Sequence, residues 1–261
     1  MPSLIQRTSP TGVHTITLNR PDRLNAVDQG LADELPRALD AVANEDAVRV
    51  VLITGAGRGF CSGLDLSAPP SLPDSTRAER LDPFAWVGRW VLSVVHCEKP
   101  VIAAVNGPAA GAGFGLALAC DIRLVASSAR LTAGYVRRGL SPDAGVSFLL
   151  PRLVGLSRAA EILYTGRDID SAEAERIGLA AMVIADDGFG DHAYEFAERL
   201  AAGPPNALAL TKRLLATSLE TPLEEQLERE LSYIKTCFAT GDVAEAMSAF
   251  VEKRRPQFGG R

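Results

Sequence analysis

The sequence predicts an α/β fold, and three observations carry that reading. VHTITL (13–18) alternates apolar and polar residues as a half-buried strand does. RVVLIT (49–54) and PVIAAV (100–105) are continuous apolar runs, suited to strands buried on both faces. Between the first two, Val27, Leu31, Leu35, Leu39 and Val42 recur at three- and four-residue spacing, the period of one helix face.

The remaining elements follow in order. NGPAAGAGFGLALACD (106–121) opens an apolar helix just after a strand. DIRLVA (121–126) and ARLTA (129–133) read as short strands, and a helix is expected from about Gly145 to Leu153. From Ser157 onward the signals are helical, with starts at Ser157, at Ser171 and at TPLEE (221–225), where Thr221 can cap and Pro222 suits the first turn. No repeat of fixed period is present, yet turns of strand, strand and helix suit a spiral core. We divide the chain into a core over 1–203 and a C-terminal helical region over 204–261. SAPPSLPDSTRAER (67–80), rich in proline and polar residues, reads either as a mobile lid or as a solvated connection.

Composition narrows the function. The chain has 261 residues, 47% of them hydrophobic, enough for a sizeable core. Its net charge of −5 argues against a general nucleic-acid binder, which needs a basic face. Cys61, Cys97, Cys120 and Cys237 form neither a C-x-x-C pair nor a Cys/His group of zinc-site spacing. They are expected to be reduced and mostly buried thiols. The N-terminal MPSLIQRTSP has no signal-peptide pattern and no apolar run reaches the length of a membrane span. The expectation is a soluble cytoplasmic protein with no membrane partner.

Two familiar chemistries fail on spacing. TGAGRG (54–59) follows a buried strand, but a dinucleotide turn must lead straight into a helix, and the prolines soon after FCSGLDL (60–66) forbid a long one. Ser62 lies in GFCSG rather than G-x-S-x-G, and His14, His96 and His192 have no evident partner for a nucleophile. What remains is the run Gly111, Gly113, Gly115 at a helix start. A helical glycine costs about 1 kcal/mol relative to alanine, so three together imply that something approaches the backbone closely.

LNRPDRLNA (18–26), GRGFCSGLDL (57–66), NGPAAGAGFGLALACDIRLVA (106–126), GLSPDAGVSFLLPRLVG (139–155) and AFVEKRRPQF (249–258), in this order, closely resemble the crotonase superfamily, the enoyl-CoA hydratase/isomerase family. The resemblance implies a spiral of strand-strand-helix turns with a C-terminal helical trimerisation region, and an acyl-CoA substrate whose thioester enolate is held by two backbone amides. By position these donors are Leu64 and Ala112, and Gly63, Gly111 and Gly113 would let the thioester come close. Arg23 and Leu24 would lie along the nucleotide, with Ser62, Asp65 and Leu66 as the adenine-side wall. Phe250 and Lys253 would reach in from a neighbouring subunit of a trimer or dimer of trimers. For Arg23 and Lys253 the alternative is a solvated charge. No separate cofactor and no metal is implied, since the coenzyme A thioester is itself the substrate.

The chain departs from the family's hydratases, which use two glutamates. Gly115 and Tyr135 stand at those positions. Asp143, in SPDAG, is the remaining carboxylate, at a place where some of the family's isomerases keep their acid/base. It also reads as a helix-cap aspartate, with Ser141 as cap and Pro142 in the first turn. One carboxylate suffices to move a proton between two carbons, so a double-bond isomerase is expected. The motifs look most like the phenylacetate-pathway branch, which also rearranges a ring epoxide. A hydratase with changed apparatus, a hydrolase or dehalogenase, and a non-catalytic acyl-CoA binder are the other readings.

Overall fold

The computed structural model describes residues 2–67, 77 and 81–261. Most of the proposed lid lies outside the described residues. The alternating run forms β2 (Val13–Leu18), and the two continuous runs form β3 (Val50–Gly55) and β4 (Val101–Val105), the last buried at every residue. β1 (Leu4–Thr8) has only Leu4 buried, so it carries no alternating signal; it is held by antiparallel pairing with β2, Leu4 opposite Leu18.

α1 (Gln29–Ala43) buries the expected face, Leu31, Leu35, Leu39 and Val42. Val27 lies outside it. The helix begins after Asp28, whose carboxylate accepts from the Leu31 amide at 2.9 Å, and Val27 instead forms a parallel bridge with Leu64. That pairing, available only in the folded chain, outweighs the helical spacing.

α2 (Ala85–Val95) precedes β4, and β5 (Ala109–Ala110) leads into α3 (Ala112–Ala119), all eight residues of which are buried. β6 (Ile122–Ala126) and β7 (Arg130–Thr132) follow. α4 (Val146–Val154) and α5 (Leu156–Thr165) then pack as a pair. The sequence after Ser157 is not wholly helical: β8 (Asp168–Asp170) and β9 (Met182–Ile184) flank α6 (Ser171–Arg176). At three residues each they are too short to show a period, and they exist because β7 and β6 offer them open edges.

Among the described residues one sheet runs β1-β2-β3-β4-β6-β9, parallel from β2 onward, and a second runs β5-β7-β8. The neighbours β4 and β6 are connected through β5 of the second sheet, and the neighbours β6 and β9 through its β7 and β8. This is the expected spiral. α7 (Phe189–Ala201) packs on β2, β3 and β4.

α8 (Pro205–Thr217), α9 (Leu223–Phe238) and α10 (Gly241–Glu252) complete the chain. α9 begins after Pro222 with no side-chain cap, so Thr221 does not cap it. Lys212 of α8 ties this region to the core through Asp121 at 2.8 Å and the Lys99 carbonyl at 3.1 Å. α9 buries no residue, and Leu223, Leu227, Leu231, Ile234 and Phe238 are exposed along it. No helix of the described residues is long and apolar enough to cross a membrane. Cys61, Cys97 and Cys120 are buried and Cys237 is half-buried, all unpaired. Burial pushes the Cys61 and Cys120 thiols up to about 12, which leaves them unreactive.

Candidate active site

The two glycine turns are stitched together by backbone. The Phe60 and Cys61 amides both donate to the Pro108 carbonyl at 3.1 Å, and the Ala110 amide donates back to the Cys61 carbonyl at 2.9 Å. This fragment of parallel sheet places residues 60–63 beside the start of α3. Closeness, not ligand access alone, explains two of the glycines. A Cβ on Gly113 would collide with the Cys61 carbonyl, and one on Gly63 (φ +88°) would come within 2.7 Å of the Ala110 oxygen. Gly111 (φ +53°) is different: the nearest atom to its missing Cβ is 3.9 Å away. Its surroundings leave room for an outside group.

The same packing sets Gly63 against the start of α3. The missing Cβ of Gly63, the residue before Leu64, is 3.4 Å from the Ala112 amide nitrogen. Among the described residues neither the Leu64 nor the Ala112 amide donates to a protein acceptor. Ala112 is also the first residue of α3, where free amides and the helix dipole favour negative charge.

Asp143 precedes Ala144, which packs against Gly115 in the first turn of α3. α4 starts after Gly145 (φ +69°) without a side-chain cap, so Asp143, Ser141 and Pro142 do not form its first turn. The helix-cap account therefore fails: two left-handed residues, Ala144 and Gly145, separate the aspartate from the helix. Asp143 is exposed to solvent on one side, yet its carboxyl is pushed above the usual carboxylate range, chiefly by desolvation from the protein on its other side, with the Tyr135 hydroxyl acting in the opposite sense. Tyr135 is buried, and burial followed by the neighbouring Asp143 charge raises its own hydroxyl well above the ordinary tyrosine value. It stays protonated and serves as a donor, not as a base.

Arg23 ends a short 3-10 turn, exposed to solvent, and Leu24 follows with φ +49°. Ser62 is half-buried and fastened to both: its hydroxyl donates to the Arg23 carbonyl at 3.3 Å and its amide to the Leu24 carbonyl at 3.0 Å. Leu66 is exposed. Asp65 turns inward. Its carboxylate accepts from the Ser67 hydroxyl at 2.7 Å, the Ser67 amide at 3.0 Å and the Arg20 guanidinium at 2.8 Å, which hold it well below the usual carboxylate range. Asp65 thus supports the wall from behind. Phe250 and Lys253 lie at the end of α10, both exposed, and no hydrogen bond or ion pair joins their side chains to the site turns among the described residues.

Three polar residues without any periodic signal hold these turns. Arg20 reaches Asp28 at 3.1 Å as well as Asp65. Fully buried Asn25 (φ +56°) accepts from the Arg20 amide and donates to the Ala56 and Gly59 carbonyls at 3.0 and 2.8 Å. Asn106 accepts from the Gly55 amide and donates to the Gly55 and Gly57 carbonyls. Their position inside the motif segments is the one cue the sequence offers.

A spiral of strand-strand-helix turns, closed by C-terminal helices and bearing two glycine turns against a buried helix start, is the architecture of the crotonase class. Residues 8–261 match the enoyl-CoA hydratase/isomerase family, and the chain belongs to it. It is 38% identical over 253 residues to the 1,2-epoxyphenylacetyl-CoA isomerase of Escherichia coli K12, covering 96% of each chain. It is 35% identical over 245 residues to the short-chain-enoyl-CoA hydratase of Clostridium acetobutylicum, covering 93% of this chain and 92% of that one. The solved structure of an enoyl-CoA hydratase from Bacillus anthracis superposes with a TM-score of 0.90 at 33% identity, over 99% of this chain and all of that one.

Proposed function

We propose that this enzyme isomerises an acyl-CoA ester, shifting a double bond or rearranging a ring epoxide through a thioester enolate. The observation that supports this reading best is the carboxylate of Asp143, solvent-exposed yet raised in pKa by the protein beside it, with Gly115 and Tyr135 where the family resemblance puts a hydratase's glutamates. In a 3-enoyl-CoA, Asp143 takes a proton from C2, the electron pair moves into the thioester, and the Leu64 and Ala112 amides hold the resulting oxyanion. The double bond then forms between C2 and C3 as the proton returns to C4. Nothing is added or lost, so no second carboxylate is needed to activate water.

The coenzyme A moiety would run past Arg23, Leu24, Ser62 and Leu66, and Phe250 and Lys253 of a neighbouring subunit would close over it in a trimer. The relative named as an epoxyphenylacetyl-CoA isomerase favours a phenylacetyl-type acyl group, and a fatty acyl group is the alternative. Relatives named as hydratases favour hydration as the second reading. Incubation with a 3-enoyl-CoA and with crotonyl-CoA, followed by NMR of the products, separates the two. The expected result is a shifted double bond in the first and little or no 3-hydroxyacyl-CoA in the second; comparable hydration of crotonyl-CoA refutes the isomerase reading.

A further inference from the structure

Gly115 lies in the first turn of α3, and the space beyond its Cα is already taken. A Cβ built there would come within 2.5 Å of both the Cβ and the carbonyl oxygen of Ala144, and 3.2 Å from its carbonyl carbon. Ala144 is buried and has φ +49°, a left-handed conformation that residues with a side chain rarely adopt. Gly145 continues it at φ +69°. The Val146 amide closes the turn on the Asp143 carbonyl at 3.0 Å, so the direction in which the chain leaves Asp143 is set by this tandem pair. A left-handed alanine persists where its surroundings hold it. Here the surroundings include Gly115 on one side and, beside Gly145, Val91 and Leu149.

We infer that Gly115 is a positioning and specificity-determining residue: its missing side chain is the seat for Ala144, this seat aims Asp143, and it excludes any carboxylate at position 115. The inference rests on the reading of Asp143 as the acid/base. Restoring a glutamate at 115 would expel Ala144, and with it the Asp143 loop. The two-carboxylate arrangement of a hydratase and the Asp143 arrangement of this chain are therefore alternatives, and a single substitution at 115 does not convert one into the other.

A double-mutant cycle on the full-length enzyme tests this, using Gly115→Ala, Asp143→Asn and their combination with a 3-enoyl-CoA. Gly115→Ala is expected to lower kcat roughly 10- to 100-fold, the scale of a reacting group displaced by about an ångström, while KM and acyl-CoA affinity by calorimetry change little. The acid limb of its pH–rate profile should move, because the Asp143 surroundings change. In the Asp143→Asn background the same substitution should cost almost nothing further. A wild-type kcat in Gly115→Ala beside an inactive Asp143→Asn overturns the inference alone, as does an undiminished loss in the Asn background. A near wild-type Asp143→Asn overturns the acid/base reading and the inference with it. If Gly115→Ala does not fold, Ala144→Gly takes its place: emptying the seat from the loop side should lower kcat severalfold at constant KM, and an unchanged kcat overturns the inference. Gly115→Glu should hydrate no crotonyl-CoA; hydration by this variant, with or without retained isomerase turnover, refutes the exclusion.

Discussion

The Tyr135 hydroxyl donates a long hydrogen bond, 3.5 Å, to the backbone carbonyl of Asp143. The contact joins the segment after β7 to the loop before α4. It fixes a neutral donor beside Asp143, the carboxylate we propose as the acid/base, where partial desolvation makes that exposed carboxylate easier to protonate.

Asp143→Asn keeps the size of the side chain and removes the base. Isomerase turnover is expected to fall roughly 100-fold or more, with acyl-CoA affinity little changed. The stability effect has a definite sign. Because the folded-state pKa is raised, the contribution of Asp143 to stability is present below its unfolded value and lost as pH rises through the folded one. The asparagine variant should therefore melt no lower than the wild type at neutral pH, which calorimetric melts will show.

The pH dependence of kcat/KM offers a separate check. Turnover needs Asp143 ionised, so the acid limb should lie above the ordinary aspartate value of about 3.9. Tyr135→Phe removes the hydroxyl that favours the ionised form and should move the limb further up. A limb below pH 4 in the wild type would mean that another group is the base.

Asp65 has the opposite sign. Hydrogen bonds from Ser67, then Arg20, depress its pKa, so its contribution is present above the unfolded value and lost as pH falls through the folded one. Asp65→Asn should lower the urea midpoint at pH 7, and the difference from wild type should shrink at pH 3.

Asn25→Ala removes the hydrogen bonds to three backbone groups, the Arg20 amide and the Ala56 and Gly59 carbonyls, and puts alanine at φ +56°. We expect a loss of about 3 kcal/mol in denaturant unfolding. A fall in kcat should accompany it, since the turn over residues 57–63 loses its anchor.

The exposed apolar row on α9, with Phe250 beyond it, predicts an oligomer, and the family resemblance predicts that it is built on trimers. Analytical ultracentrifugation at micromolar concentration should give a trimeric or hexameric mass. Leu227→Asp with Leu231→Asp should dissociate it, and Phe250→Ala should weaken acyl-CoA binding with assembly intact. A monomeric wild type removes Phe250 and Lys253 from the site.

By itself the sequence determined the features that depend on near neighbours in the chain. A continuous apolar run buries a strand wherever it goes, a 3.6-residue period makes one helix face, and a glycine turn permits backbone conformations that other residues resist. For that reason β2, β3, β4, α1 and the paired turns around Gly63 and Gly111 were legible. Tertiary structure alone decided what depends on distant partners. β1, β8 and β9 form only because a neighbouring strand offers them hydrogen bonds. Asp65 carries the same carboxylate as Asp143, but Ser67 and Arg20 turn it inward and keep it charged. Asp143 escapes the helix-cap role because Ala144 and Gly145 turn the chain left-handed before α4 begins. Gly115 packs against Ala144, a meeting of residues 29 positions apart in the chain. Local pattern fixes what a segment can form, and packing between segments fixes what each side chain faces.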